Sequence, residues 1–478
     1  MKATAWGQRM RWTALISAVA LQGVLVLPAE AAWPTHVLTA VEKDHPLPEV
    51  WLGVGYEHIR KSANITREWV QRDANGSPTT AEDIRELAFS EYQHRLNIDL
   101  RAGIFRDLEL HIRAPIILAY KSQIAFADGV EGTSTIWGTD NANDPNYDYR
   151  YPITEVPASR ERAGFGDMTF GLSWSPFVDA KDEAYPTLTL TGDLIAPTGS
   201  RRDPADIAAL PDQAGKGGMG QGQTIFDLSV GLSRRMRLGT PALDPYVVLG
   251  ARIPVATSAQ KALGMQPPPS GRAKVGVDVI IHEVPEKEEL YSVDLGFSFR
   301  YVGIGRTYSE LSDYLPNLDQ TRVPANRADP SIAADAVTYN DYADPRNYTT
   351  AQDGTNCGAL VGVPCGELNR VDEHMEMQGS FALLLKPSKW LMFRGGVQVG
   401  FVTNHLITAE KVGEDTDPEG SNATCGGSPC AGRVNASNSR GEDERSPYYD
   451  PRYDQPGRRL RAEGIFTLTA FANLAITF

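Results

Sequence analysis

The 478-residue chain predicts an all-β protein: a transmembrane up-and-down antiparallel β-barrel of about 12 strands, with short turns at one end and long loops at the other. Three observations predict it. Apolar and polar residues alternate with a period of two over runs longer than the roughly 5–6 residues usual in a soluble sheet. The segments between these runs alternate in length, long then short. Beyond Leu27 there is no run of about 18 or more apolar residues, so a membrane crossing here means strands and not helices.

The runs follow in order. The first, 50–58, sets Val50, Leu52, Val54 and Tyr56 on one face. The second and third, 86–104 and 108–120, carry Leu96, Ile98, Leu100 and Leu110, Ile112 against Arg95, Asp99, Arg101 and Glu109, His111, Arg113. In the fourth, 165–177, Phe170, Leu172 and Trp174 oppose Asp167. The fifth, 186–197, opposes Leu188, Leu190 and Leu194 to Asp193, and the sixth, 224–236, opposes Phe226, Leu228 and Val230 to Asp227 and Arg235. The seventh, 245–256, is nearly all apolar and leaves its facing open. The eighth, 273–282, sets Val275, Val277 and Val279 against Asp278, and the ninth, 290–303, sets Leu295, Phe297 and Phe299 against Asp294, Ser298 and Arg300. The tenth and eleventh, 374–386 and 389–406, join through the tight KPSK turn. The twelfth runs from about Leu460 to Phe478.

Long connections cover 61–85, 121–164, 198–223, 257–272, 304–373 and 407–459, and short ones 105–107, 178–185, 237–244, 283–289 and 387–388. A secreted β-sandwich has no reason to put every long loop at one end. An outer-membrane barrel does, with short periplasmic turns and long extracellular loops. Lipid offers no partner to a free strand edge, so the sheet must close on itself, apolar face outward and charged face around the lumen. Tyr92, Tyr120, Trp174, Tyr291 and Tyr301 lie at or near the ends of apolar stripes, where aromatic girdles belong.

Residues 1–31 read as a cleavable signal peptide, with Lys2, Arg9 and Arg11 before the apolar run 12–27 and Ala29 and Ala31 at the cut. Residues 32–48 follow as a periplasmic N-terminal segment and 49–478 as the barrel, placing the protein in the bacterial outer membrane. Outer-membrane lipid and lipopolysaccharide are then its surroundings. The closing FTLTAFANLAITF puts Phe466, Leu468, Ala470, Ala472, Leu474, Ile476 and Phe478 on one face. It resembles the C-terminal signal by which the barrel-assembly machinery takes up such proteins, which makes that machinery an expected partner.

GFGDMTFGLSWSPF at 164–177, YPTLTLTGDLIAPTGS at 185–200 and GQTIFDLSVGLSRRMRLG at 222–239 carry a further likeness. The G-x-G-D strand start at Gly164, Gly166 and Asp167, the P-T-G strand end at Pro197, Thr198 and Gly199, and the Ser233-Arg234 pair resemble a family of outer-membrane barrels. These are transporters of the "MetA-pathway of phenol degradation" type. The resemblance implies a barrel and passage of small solutes, often aromatic or apolar, and brings no catalytic residues with it. The long acidic loops and the cysteine pairs of this chain depart from the pattern.

The expected pore-lining residues are Arg95, Asp99, Arg101, Glu109, His111, Arg113, Asp167, Asp193, Asp227, Arg235, Asp278, Asp294, Arg300 and Arg394. Pairing the apolar faces around the 105–107 turn brings Asp99 to Arg113 and Arg101 to His111. Two readings of this set stand side by side: a charged constriction that selects permeants, and a ladder of salt bridges that fills a narrow lumen. Cys357 and Cys365, and Cys425 and Cys430, form two close pairs in an exported chain and read as disulfides, with no histidine at zinc-ligand spacing.

No metal site, cofactor or catalytic set is expected. QAGKGGMGQG at 213–222 lacks the Ser or Thr and the following helix of a phosphate loop. His405 beside Thr403 is the one arrangement that a hydrolase reading would test. Three Tyr-, Asp- and Pro-rich segments, 143–152, 339–348 and 446–456, read as solvated loops. A net charge of −14 argues against nucleic acid. The expected function is a passive outer-membrane channel for small solutes, as a monomer or small homo-oligomer. The alternatives are a surface interaction protein anchored by its barrel and, third, an outer-membrane hydrolase.

Overall fold

The computed structural model describes residues 35–38 and 48–478, apart from the stretches 73–77, 137–155, 201–217, 308–321, 325–347 and 351–368 and gaps of a few residues in other loops and turns. The expected signal peptide, the segment 143–152, most of 339–348, and Cys357 and Cys365 lie outside the described residues.

Twelve strands form the wall: Val50–Arg72, Pro78–Phe105, Leu108–Phe126, a fourth in two pieces (Ala158–Phe165 and Met168–Phe177), Thr187–Ala196, Gln223–Ser233, Ala242–Ala256, Ser270–Val284, Glu289–Val302, His374–Ser388, Leu391–Val402 and Leu460–Thr477. Each pairs antiparallel with the strand before it, and the twelfth pairs with the first, from Trp51 opposite Thr477 to Arg67 opposite Leu460. The sheet is a closed barrel. Among the described residues no helix is long and apolar enough to cross a membrane.

The faces follow the alternation. On the ninth strand Leu295 is 45% exposed while its neighbour Asp294 is 7% exposed. Leu52, Leu100, Leu172, Leu228, Leu249, Leu383 and Leu474 are exposed in the same way around the barrel. In water such a belt would leave far more apolar surface uncovered than a soluble monomer carries, and in lipid it is the solvated face. The seventh strand, open in the sequence, turns Tyr246 and Val248 inward and Leu249, Ile253 and Val255 outward.

The largest departure from expectation lies at 61–85. The first two strands run through it, 23 and 28 residues long, where about 9–11 suffice to span a bilayer. They remain paired register by register as far as Arg72 opposite Pro78. The charges of this stretch suggested a loop, but Ala63, Ile65 and Trp69 within it are buried. Ala63, Ile65, Leu87 and Phe89 join Ile124, Ile136, Val156, Val371, Ile407, Tyr453, Leu460, Ala462 and Ile465 in one buried core at the loop end of the barrel. Three groups tie it together. Glu86 is fully buried and accepts from Ser134 Oγ at 2.9 Å and Thr135 N at 3.0 Å. Arg67 and Arg458 flank the buried Trp69 ring, 4.9 and 4.4 Å from its centroid.

Two other expectations are corrected. In the segment 446–456, expected as a solvated loop, the described Tyr449, Tyr453, Asp454 and Gln455 are buried, and Tyr453 joins this core. Tyr120 belongs to no girdle: a register shift between Ile117 and Tyr120 turns it inward, where its hydroxyl donates to Glu91 at 3.3 Å. Trp174 and Tyr301 do face outward.

Candidate functional site: the barrel lumen

The inward face of every strand supplies the lumen, and its polar groups are arranged in tiers. At the short-turn end lies the N-terminal segment 35–38. Leu38 N donates to Glu109 Oε2 at 2.9 Å, Thr35 Oγ1 meets Ser233 Oγ at 2.7 Å, and Thr189 Oγ1 donates to the Thr35 carbonyl at 2.6 Å. Leu38 also packs with Trp51, Ala475 and Met392. Four residues thus touch the first, third, fifth, sixth, eleventh and twelfth strands, from one wall of the barrel to the other.

Glu109, itself 1% exposed, is also reached by Arg101 at 3.7 Å and by His111 Nδ1 at 3.4 Å, and His111 Nε2 lies 2.8 Å from Asp193 Oδ1. The next tier pairs Arg113 Nε with Asp99 Oδ1 at 2.6 Å. Both expected neighbour pairs, Asp99 with Arg113 and Arg101 with His111, stand opposite in register. Arg95 pairs with Glu57, whose other oxygen accepts from Asn97 Nδ2 at 2.8 Å. Asp227 holds two guanidinium groups, Arg252 Nη2 at 3.0 Å and Arg272 Nη2 at 2.6 Å. Asp294 accepts from Arg394 Nη2 at 2.8 Å and from Tyr246 OH at 2.7 Å, with Asp278 opposite it on the eighth strand. Arg300 Nη1 reaches Glu376 Oε2 at 3.1 Å.

Two expected residues sit apart from these tiers. Arg235 lies at the short-turn end, where it pairs with Glu283 at 2.7 Å and receives Asp179 on its backbone N–H. Asp167 sits in the break of the fourth strand and accepts from Gly199 N at 3.1 Å and Gln221 N at 2.8 Å, which ties the loop after the fifth strand to the wall. A Cβ on Gly199 would lie 2.6 Å from the Phe165 carbonyl, so that approach requires glycine.

Glu57, Arg252, Arg272 and Glu376 were missed in the sequence. Glu57 follows the outward Tyr56 and was legible by alternation. Arg252 lies on the strand with no clear face, and Arg272 lies at an end read as loop. His405 has no free Nδ1, which meets the Thr403 carbonyl at 2.8 Å, and its ring stacks on His374 at 4.1 Å.

Two adjoining cavities occupy the lumen. One, of about 500 Å³, is lined by charged groups including Arg95, Arg113, Asp193, Asp227 and Arg272. The other, of about 410 Å³ and nearer the loop end, mixes Lys61, Arg300 and Glu376 with Phe89, Val371 and Ile465. They share Glu91, Tyr120, Gln221, Ile225, Arg252 and Arg300. Most of the arginines that line them are paired with a lining or neighbouring carboxylate.

No family model matches the chain, and no curated protein matches it. Among solved structures it is similar to an outer membrane channel from Pseudomonas putida F1, with 11% identity, a TM-score of 0.37, and coverage of 95% of this chain and 100% of that one. The TodX monoaromatic hydrocarbon channel (a mutant) is similar at 8% identity and a TM-score of 0.28, with 90% of each chain covered. The outer membrane protease OmpT from Escherichia coli is similar at 7% identity and a TM-score of 0.26, covering 94% of this chain and 99% of that one.

Proposed function

We propose that this protein is a bacterial outer-membrane channel for passive passage of small solutes, with a preference for molecules that carry an aromatic or apolar part. The observation that carries the reading is the pair of adjoining lumenal cavities, about 410 and 500 Å³, each within the range of small-molecule sites. The outer one offers Phe89, Val302, Val371, Val402 and Ile465 beside its charges, so apolar solutes gain contact there before meeting the paired charges below. The charged set from Arg95 to Arg394 then acts as a lining of balanced charge. Residues 35–38 narrow the short-turn end. Two local disulfides, Cys357–Cys365 and Cys425–Cys430, belong to the proposal as pins of external loops.

Reconstitution into planar bilayers tests the reading. Small steady openings are expected, reduced by a small aromatic acid and unaffected by a sugar of similar mass. A folded barrel that passes no current, and liposomes that admit none of these solutes, would overturn it.

A further inference from the structure

The long connection between the eleventh and twelfth strands holds a group of carboxylates that the lumen does not use. Asp415, Asp417 and Glu444 each present an oxygen within 4.8 Å of the other two. Three like charges at that separation repel one another. Among the described residues, the hydrogen-bond donors that meet them are neutral. Asp415 accepts from Asp417 N at 3.1 Å and from Gly432 N. Asp417 Oδ1 accepts from Ser439 N at 2.7 Å. Glu444 takes four bonds, two from Thr416 and two from Asn435.

One atom is left over. Asp417 is 9% exposed, and its Oδ2 is buried with no hydrogen-bond partner. An ionised carboxylate oxygen shut away from water without a donor is costly, and the ordinary remedy is a cation or a proton. The chain brings the three residues together by tight local turns: Gly420 at φ +79° just after Asp417, and Gly432 at φ +85° where its N–H meets Asp415. These donors hold the carboxylates in place while leaving Asp417 Oδ2 and a lone pair on each Asp415 oxygen to a ligand.

We propose that this loop binds one Ca²⁺ ion through Asp415 and Asp417, with the Glu444 carboxylate adding negative charge beside it. All donors are oxygen, which favours a hard cation over zinc. Ca²⁺ accepts flexible, irregular oxygen coordination, whereas Mg²⁺ demands near-ideal octahedral geometry and sheds its waters reluctantly, so an all-protein carboxylate group on a loop suits Ca²⁺. Asp415 is on the exposed side of the group, which leaves the ion a route in from solvent and room for waters. The ion removes the repulsion, and it clamps a loop whose own Tyr453 packs into the external core.

Isothermal titration of the purified barrel, in detergent and freed of lipopolysaccharide, tests this with CaCl₂ and MgCl₂ after chelation. One Ca²⁺ per chain is expected, in the range of about 10⁻⁴–10⁻³ M seen for extracellular modules, with Mg²⁺ at least tenfold weaker. Asp417→Asn should weaken Ca²⁺ at least tenfold, while Asp128→Asn, an acid outside the group, should leave it unchanged. In the unaltered protein, Ca²⁺ should also slow tryptic cleavage at the exposed Arg440, and a chelator should reverse this. Heat-modifiable mobility in gels reports whether each variant barrel is folded. The proposal is overturned by absence of Ca²⁺ binding at millimolar concentration, by equal binding in a folded Asp417→Asn barrel, or by cleavage indifferent to Ca²⁺.

Discussion

Asp227→Asn is the sharpest perturbation of the lumen. The substitution preserves shape and removes only the charge that holds Arg252 and Arg272. Their guanidinium groups lie 3.0 and 2.6 Å from its carboxylate, whose side chain is 4% exposed, and Arg272 is 9% exposed. At an effective dielectric of about 20, each pair at roughly 3 Å is worth about 5 kcal/mol of attraction. Most of that is offset by the desolvation of three ions in the folded state. With the carboxylate gone the desolvation of two cations stays uncompensated, and breaking a buried pair in this way costs about 3–5 kcal/mol. Urea unfolding in lipid vesicles, followed by tryptophan fluorescence, reads the loss directly. The same variant should shift the reversal potential in a KCl gradient toward anions, because two unpaired cations then face the lumen. A loss under about 1 kcal/mol, the worth of a solvent-exposed pair, together with an unchanged reversal potential, would refute the reasoning.

Leu295→Arg, on the outward face of the ninth strand, should cost about 2–4 kcal/mol in vesicle unfolding and slow assembly, whereas Leu295→Phe should do neither. Replacing Thr35 and Leu38 by glycine frees Ser233 and empties the contact with Trp51. Single-channel recording should then show larger or more frequent openings, and unchanged traces would mean that the segment does not limit flow.

The barrel was legible because its cause is local. A period of two sets the face of each residue, so alternation revealed the strands, their count and most of their orientation. Pairing those faces around one short turn was enough to place Asp99 opposite Arg113. What escaped depends on residues that meet only after closure. Asp227 finds Arg252 on the next strand and Arg272 on the one after, and that seventh strand is so nearly all apolar that its alternation shows no clear face. The external core escaped for a different reason. At 61–85 charged residues such as Arg67, Glu68 and Asp83 suggested a loop, yet Arg67 is buried and bonds to the Arg458 carbonyl, and the neighbouring Glu86 is buried and met by Ser134 and Thr135. No spacing rule ties positions so distant.

Closure of the first strand on the twelfth has a consequence for how the chain is made. The two edges that seal the wall lie at opposite ends of the sequence, Trp51 against Thr477. A ribosome product cut short before Leu460 would carry every other wall strand and still present two bare edges, each a row of unmet amide and carbonyl groups. Lipid tolerates no such edge, and in the periplasm it is an invitation to aggregate or be degraded. The final eighteen-residue strand therefore acts as a proof of completeness, since only a chain translated through to it can become a membrane protein at all.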